Sequence, residues 1–197
     1  MNIVFMGTPY FATGVLQGLL DNNYNISLVV TQPDKLVGRK KQIEFSSVKK
    51  MALENNIEVF QPINMKNDYQ RILDCNPDVI ITCAYGQIIP KQVLDFPKYK
   101  CINVHGSLLP KLRGGAPIQK SIIYGHKTTG ITIMYMAPKM DSGDILLQEE
   151  IEIDIKDTYK TLADKLMIIG RDLLLKALPL LFENKLTPIK QNEAEVL

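Results

Sequence analysis

The sequence predicts an α/β fold, namely an open, mostly parallel twisted sheet with helices on both faces. Short apolar runs rich in Val and Ile recur along the chain, as expected of buried parallel strands. Segments with a helical spacing of apolar residues lie between these runs, which is the order of βαβ units. The chain has 197 residues, of which 46% are hydrophobic, and this is enough for one self-sufficient core.

The first half of the chain supplies most of the predicted parallel strands. The run N-I-V-F-M at 2–6 predicts a strand, and Thr8 or Pro9 opens a helix that ends near Leu20. Further strands are predicted at 26–31, 58–60, 77–83 and 100–104, and helices from Ser46 or Ser47 to Asn55, at 68–74 and at 90–94. Residues 32–46 show no apolar period, so they are predicted to be a long loop, a kind of segment that is usually functional or disordered.

The second half ends in a long amphipathic helix. A helix is predicted at 117–124, followed by a partly exposed strand pair at 131–136 and 145–153. Asp157 or Thr158 caps the last helix, because both are residues that favour helix starts. Its apolar stripe consists of Leu162, Leu166, Ile169, Leu173, Ala177 and Leu180.

Composition excludes several classes of protein. No apolar stretch is long enough for a membrane span, and residues 2–6 run into Gly7 without the basic region of a secretory signal. The three cysteines form no C-x-x-C pair, so we expect neither a disulfide framework nor a metal site. A reducing cytoplasm is therefore the expected location.

Charge is unevenly distributed, although the net charge is only +2. Residues 31–50 carry six basic and two acidic side chains, and residues 86–127 carry seven basic side chains and one acidic side chain. Residues 140–197 carry seven basic and twelve acidic side chains. The basic stretches fit either ordinary solvated faces or a surface that meets an anionic partner.

Polar residues at the end of the predicted strand 100–104 are the first candidates for chemistry. Asn103 and His105 are two positions apart, so an amide and an imidazole project from the same face of a strand. Ligands of open α/β sheets bind beyond the carboxyl ends of the strands. His105 is therefore either a hydrogen-bonded structural histidine or an acid–base group in a crevice.

The segment Asp141-Ser-Gly-Asp144 places two carboxylates between the last two strands. It fits a common Asp/Gly turn, and it also fits an aspartate that orients a histidine or relays a proton. The first strand is not followed by G-x-G-x-x-G, which disfavours dinucleotide binding. The turn 113–117 is basic and is either a plain loop or part of a site.

With Asn103, His105, the run S-L-L-P at 107–110 and Asp141, the chain resembles the 10-formyltetrahydrofolate-dependent formyltransferases, and within them the methionyl-tRNA formyltransferases. The resemblance spans residues 1–190. The matching stretches are Phe5–Pro9, Thr31–Asp34, Gly38–Lys41, Cys83–Gly86, Ile89–Pro90, Cys101–Pro110 and Arg113–Gln119.

The resemblance implies a Rossmann-like formyltransferase domain and roles for individual residues. Asn103, His105 and Asp141 would be catalytic. The residues implied for binding the cosubstrate 10-formyltetrahydrofolate are Ser107, Leu108, Leu109, Pro110, Tyr85 and Asp144. Arg39, Lys40 and Lys41 would reach the second substrate, methionyl initiator tRNA. No metal is implied, and a cytoplasmic monomer is expected.

The resemblance also implies an arrangement of domains. Residues 1–190 would form the catalytic domain and residues 191–197 the start of a linker, with the family's tRNA-gripping β-barrel absent from this chain. Three alternatives remain open at this point. They are a glycinamide ribonucleotide formyltransferase, a sugar-nucleotide formyltransferase, and a truncated folate-binding fragment without turnover.

Overall fold

A computed structural model describes residues 1–38 and 41–196. Its chain forms two compact units, Met1–Cys101 and Ile102–Leu197. The elements of the first unit are β1 (Asn2–Gly7), α1 (Tyr10–Asp21), β2 (Asn25–Val30), β3 (Lys35–Val37), β4 (Gln42–Glu44), α2 (Ser47–Glu54), β5 (Val59–Phe60), α3 (Gln70–Asp74), β6 (Val79–Cys83) and α4 (Lys91–Leu94).

The first unit is built on parallel strands in the order β5, β2, β1, β6. The apolar run that predicted β1 is its core, since Ile3, Phe5 and Met6 are completely buried. The helix α1 follows directly, with Pro9 as its N-cap rather than its first residue. The crossover from β1 through α1 to β2 is therefore the predicted βαβ unit.

The prediction of a long loop at 32–46 is wrong, because β3 and β4 form an antiparallel hairpin within it. Leu36 lies opposite Ile43, and both side chains are exposed. Strands of three residues with exposed apolar side chains such as Leu36 and Ile43 leave no apolar alternation in the sequence, which is why the pattern missed them. Ser46 then caps α2, as predicted, and its hydroxyl accepts a hydrogen bond from the Lys49 amide at 3.0 Å.

The second unit holds antiparallel strands and the longest helix. Its elements are β7 (Cys101–His105), α5 (Pro117–Ile123), β8 (Thr128–Tyr135), β9 (Ile145–Glu152), α6 (Tyr159–Phe182) and a 3-10 turn (Glu193–Glu195). Strand β8 pairs with both β7 and β9. The register sets His105 opposite Thr132 and Asn103 opposite Met134.

Helix α6 packs through a stripe that differs slightly from the predicted one. Thr158 is its N-cap and bonds reciprocally with Thr161. Ile169 and Leu180 of the predicted stripe are only half-buried. The buried residues are Leu162, Ala163, Leu166, Gly170, Leu173, Leu174, Ala177, Leu178 and Leu181. The prediction followed one narrow stripe, whereas α6 buries a wider face, which also includes the large side chains Leu174, Leu178 and Leu181.

The cysteines are free thiols, and burial raises the pKa of both Cys83 and Cys101. Within residues 1–38 and 41–196, no helix has the length and apolar character needed to cross a membrane. The same residues bring together no group of three or more His, Cys, Asp or Glu side chains that could hold a metal.

Candidate active site

Strand β7 carries Asn103 and His105 on the same face, as its alternation predicts. Both are almost fully buried, with 9% and 6% of their surfaces exposed. Buried polar side chains are costly unless they are hydrogen-bonded, so residues of this kind at a strand end mark a specialised site.

The ring of His105 lies between two oxygen atoms. Its Nε2 lies 3.2 Å from the Leu112 carbonyl oxygen, and its Nδ1 lies 3.8 Å from Oδ2 of Asp141. A carbonyl oxygen only accepts, so Nε2 is the nitrogen that carries a hydrogen in this contact. Nδ1 is therefore the position at which the imidazole can gain or lose a proton.

Asp141 lies between β8 and β9 in a left-handed backbone conformation, with φ of 48°. Its Oδ2 accepts a hydrogen bond from the Gly114 amide at 2.8 Å. The 3.8 Å separation from His105 is longer than a hydrogen bond. A carboxylate fixed beside an imidazole suits proton transfer.

The turn at 107–110 is organised around the buried hydroxyl of Thr132. This hydroxyl donates to the Ser107 carbonyl at 2.6 Å, and it accepts from the Leu109 amide at 3.1 Å and from Gln148 Nε2 at 2.9 Å. The Leu109 side chain packs in the core with Met134 and Ile145. Ser107 is buried as well, and its hydroxyl donates to the Lys111 carbonyl at 2.7 Å, so Leu108 is the one half-buried side chain among residues 107–110.

Replacing Thr132 by valine is expected to destabilise the protein by about 3 kcal/mol, because three hydrogen-bonding groups lose a buried partner at once. Urea unfolding measures the loss. Thr128→Val is the matched control on the same strand, since the Thr128 hydroxyl bonds to the exposed Glu150, at 3.3 Å. Equal unfolding free energies for the two variants would contradict the role given to Thr132.

The other predicted site residues lie in several places. Tyr85 follows β6 in the first unit, where burial raises the pKa of its phenol and where its oxygen has no partner among the described residues. Asp144 is half-buried beside β9, and its carbonyl accepts the Tyr135 amide. Lys41 is exposed and adjoins β4. The predictions for Arg39 and Lys40 fall outside the described residues.

The sequence did not identify three residues that support the site, namely Gln148, Gln191 and Arg113. Of these, Arg113 was noted only as part of the basic turn at 113–117. Arg113 is only 8% exposed in its side chain and bonds to Gln191 and Glu193. Gln191 in turn bonds to the backbone beside Asp141. No local pattern marks such residues, since their partners lie far away along the chain.

Comparison with known proteins identifies the family of this chain. The family described as formyl transferase matches residues 1–178. Methionyl-tRNA formyltransferases of Bacillus mycoides (strain KBAB4) and Bacillus anthracis (strain CDC 684 / NRRL 3495) are each 52% identical to this chain over 198 residues. These matches cover 100% of the chain and 63% of each relative, so the chain spans less than two thirds of their length.

Solved structures share the fold. A phosphoribosylglycinamide formyltransferase from Bacillus halodurans has a TM-score of 0.70 at 23% identity, over 90% of this chain and 97% of that one. An N-formyltransferase from Helicobacter canadensis, solved with folinic acid and dTDP-3-aminofucose, has a TM-score of 0.74 at 22% identity, over 99% and 69%. The predicted α/β class with a mostly parallel sheet is confirmed. By its family match and by relatives that are 52% identical along its whole length, this chain belongs to the formyl transferase family.

Proposed function

We propose that this chain transfers the formyl group of 10-formyltetrahydrofolate to the α-amine of methionine on initiator tRNA. The observation that carries the proposal is the 52% identity to methionyl-tRNA formyltransferases over the whole chain. Relatives with other acceptors, such as the glycinamide ribonucleotide and sugar enzymes, share the fold at 23% and 22% identity. We further propose that the protein acts in the cytoplasm as a monomer.

The residues at the end of β7 suit this chemistry. The amine nitrogen forms a bond to the formyl carbon, the bond from that carbon to N10 of the folate breaks, and one proton passes from the amine to N10. Asn103 donates a hydrogen bond to the formyl oxygen as negative charge develops there. His105 polarises the same oxygen or holds the proton at Nδ1, and Asp141 stabilises the protonated imidazole and helps to move the amine proton.

The residues proposed to bind folate are the turn at 107–110 and Asp144 in the second unit and Tyr85 in the first. A formyltransferase from the same structural group was solved with 5-N-formyl-THF, which is a related folate. The buried Tyr85 hydroxyl, which has no partner among residues 1–38 and 41–196, is a group that a polar ligand could satisfy.

An acceptor comparison tests the proposed function. The chain is mixed with 10-formyltetrahydrofolate, and tetrahydrofolate release is followed with methionyl initiator tRNA, with glycinamide ribonucleotide, with a dTDP-aminosugar, or with no acceptor. We expect turnover with the tRNA alone. Turnover with the ribonucleotide or the sugar instead, or folate binding without any turnover, would overturn the proposal.

The basic residues at 39–41 are proposed to contact the tRNA, because they lie in the basic stretch that includes the β3–β4 hairpin. Neutralising Arg39, Lys40 and Lys41 together should raise KM for tRNA much more than KM for folate. Each phosphate contact that is lost should also reduce the slope of log affinity against log salt by about 1. Steady-state kinetics at several salt concentrations measures both effects.

The control removes the same charge from elsewhere on the surface. Lys66, Lys156 and Lys176 are all exposed and lie on separate segments. Their triple alanine variant should leave the salt slope nearly unchanged. Equal increases of both KM values in the 39–41 variant would instead place that segment in the folate site.

A further inference from the structure

A C-terminal segment of the second unit is fastened to the loop that carries Asp141. We define the Asp141 loop as residues 136–144, between β8 and β9. Beyond α6, Ile189 forms a two-way backbone bridge with Ile145, with both N···O distances at 2.8 Å. This bridge brings Gln191 alongside the Asp141 loop.

The amide of Gln191 holds the backbone on both sides of Ser142. Its Nε2 donates to the Asp141 carbonyl at 2.8 Å and to the Gly143 carbonyl at 2.7 Å. Asp141 itself has the left-handed φ of 48°, a conformation that is unfavourable for a residue with a Cβ. Two hydrogen bonds from one rigid amide keep this segment in that conformation.

Arg113 holds Gln191 and also lies beside the second support of Asp141. The Arg113 Nε donates to Gln191 Oε1 at 2.9 Å, and its Nη2 pairs with Glu193 at 2.8 Å. The next residue, Gly114, donates its amide to the Asp141 carboxylate. The Asp141 carboxylate is therefore bonded directly to the segment 113–114, and the Asp141 backbone is linked to the same segment through Gln191.

Salt bridges to the exposed Glu193 complete these contacts at the surface. Glu193 accepts from Arg113 and from Lys139 of the Asp141 loop. The hydrogen bond from Arg113, helped by that from Lys139, lowers the pKa of Glu193 to about 2. Glu193 is thus an anion over the whole neutral range, and Arg113 keeps a charged partner there.

We propose that Gln191, anchored by Arg113, is a positioning residue that fixes Asp141 relative to His105. This inference rests on the proposed function, because Asp141 acts there in proton transfer. The 3.8 Å between His105 Nδ1 and Asp141 Oδ2 leaves the pair sensitive to small displacements of the loop. Misplacement of about 1 Å at a reacting group costs roughly 10²-fold in rate.

The kinetic test compares three variants in the full chain. Gln191→Ala removes the whole support, whereas Gln191→Glu keeps an oxygen for Arg113 and removes the two donors. Both should lower kcat by roughly 10- to 100-fold while KM for 10-formyltetrahydrofolate stays nearly constant. Gln17→Ala, which removes an exposed side-chain amide bonded to Asp21, is the control and should match the parent chain.

Two readouts separate positioning from a merely structural role. If a variant is partly unfolded, its kcat falls by the same factor at every pH. If Asp141 is displaced, the midpoint of the kcat–pH curve moves, and this is the result that we expect. Hydrogen exchange needs no turnover, and in Gln191→Ala the Gly114 amide should lose protection while amides of β1 keep theirs. The proposal is overturned if the pH midpoint or the protection of the Gly114 amide is unchanged in the variants. If the parent chain turns over no acceptor, only the proposed function is overturned.

Discussion

Asn103→Ala and His105→Ala will each lower kcat for formyl transfer by at least about 10²-fold while the protein stays folded. A single oxyanion donor contributes about 10²–10³ in kcat, and a positioned acid–base group about 10²–10⁴. Both side chains are buried on the same face of β7, so their effects should arise at the reacting groups rather than through loss of a substrate contact at the surface. Steady-state kinetics with circular dichroism of each variant makes the measurement.

Controls for this prediction exist within the chain. His105→Gln retains a donor for the Leu112 carbonyl but cannot take up a proton, so it should be folded and as slow as the alanine variant. His126, the other histidine, lies after α5 beside Tyr124 and should tolerate alanine with kcat close to that of the parent chain. If His105→Gln kept the parent kcat, proton transfer by the imidazole would be ruled out.

Gly143→Ala will destabilise the protein by at least about 3 kcal/mol, the upper end of the usual cost of overpacking. A Cβ at Gly143 would lie 1.9 Å from the Tyr135 carbonyl oxygen and 2.8 Å from its carbon. Both atoms are backbone of β8, so no side chain can move aside. The loop between β8 and β9 would have to shift, and with it Asp141.

The matched control is Gly115→Ala, because nothing lies within 4 Å of a Cβ there. We expect its unfolding free energy to stay within about 0.5 kcal/mol of the parent chain. Thermal and urea unfolding of both variants gives the comparison. Comparable stability of Gly143→Ala and the parent chain would show that the close approach to Tyr135 can relax without cost.

The sequence alone predicted what depends on local patterns. Buried strands such as β1 and β6 follow from continuous apolar runs, and the placement of Asn103 and His105 on one face follows from the period of two along a strand. The β3–β4 hairpin escaped because exposed strands need no apolar face.

The supports of the candidate site escaped for a different reason. Arg113 and Gln191 are 78 positions apart, and Leu109 and Gln148 are 39 apart. Hydrogen bonds of this kind leave no period in the sequence, and the sequence of the turn at 113–117 fits a plain loop as well as part of a site. Their detection required the folded chain.

The bridge between Ile145 and Ile189 also limits the positions at which this protein can be truncated or fused to another. The family match ends at residue 178, within α6, and a truncation guided by that match would stop at the end of the helix. Such a boundary would leave Arg113 without Gln191 and Glu193. Chimeras with other members of the family should therefore exchange their parts beyond residue 193. Residues 189–193 and the Asp141 loop that they contact then come from the same protein.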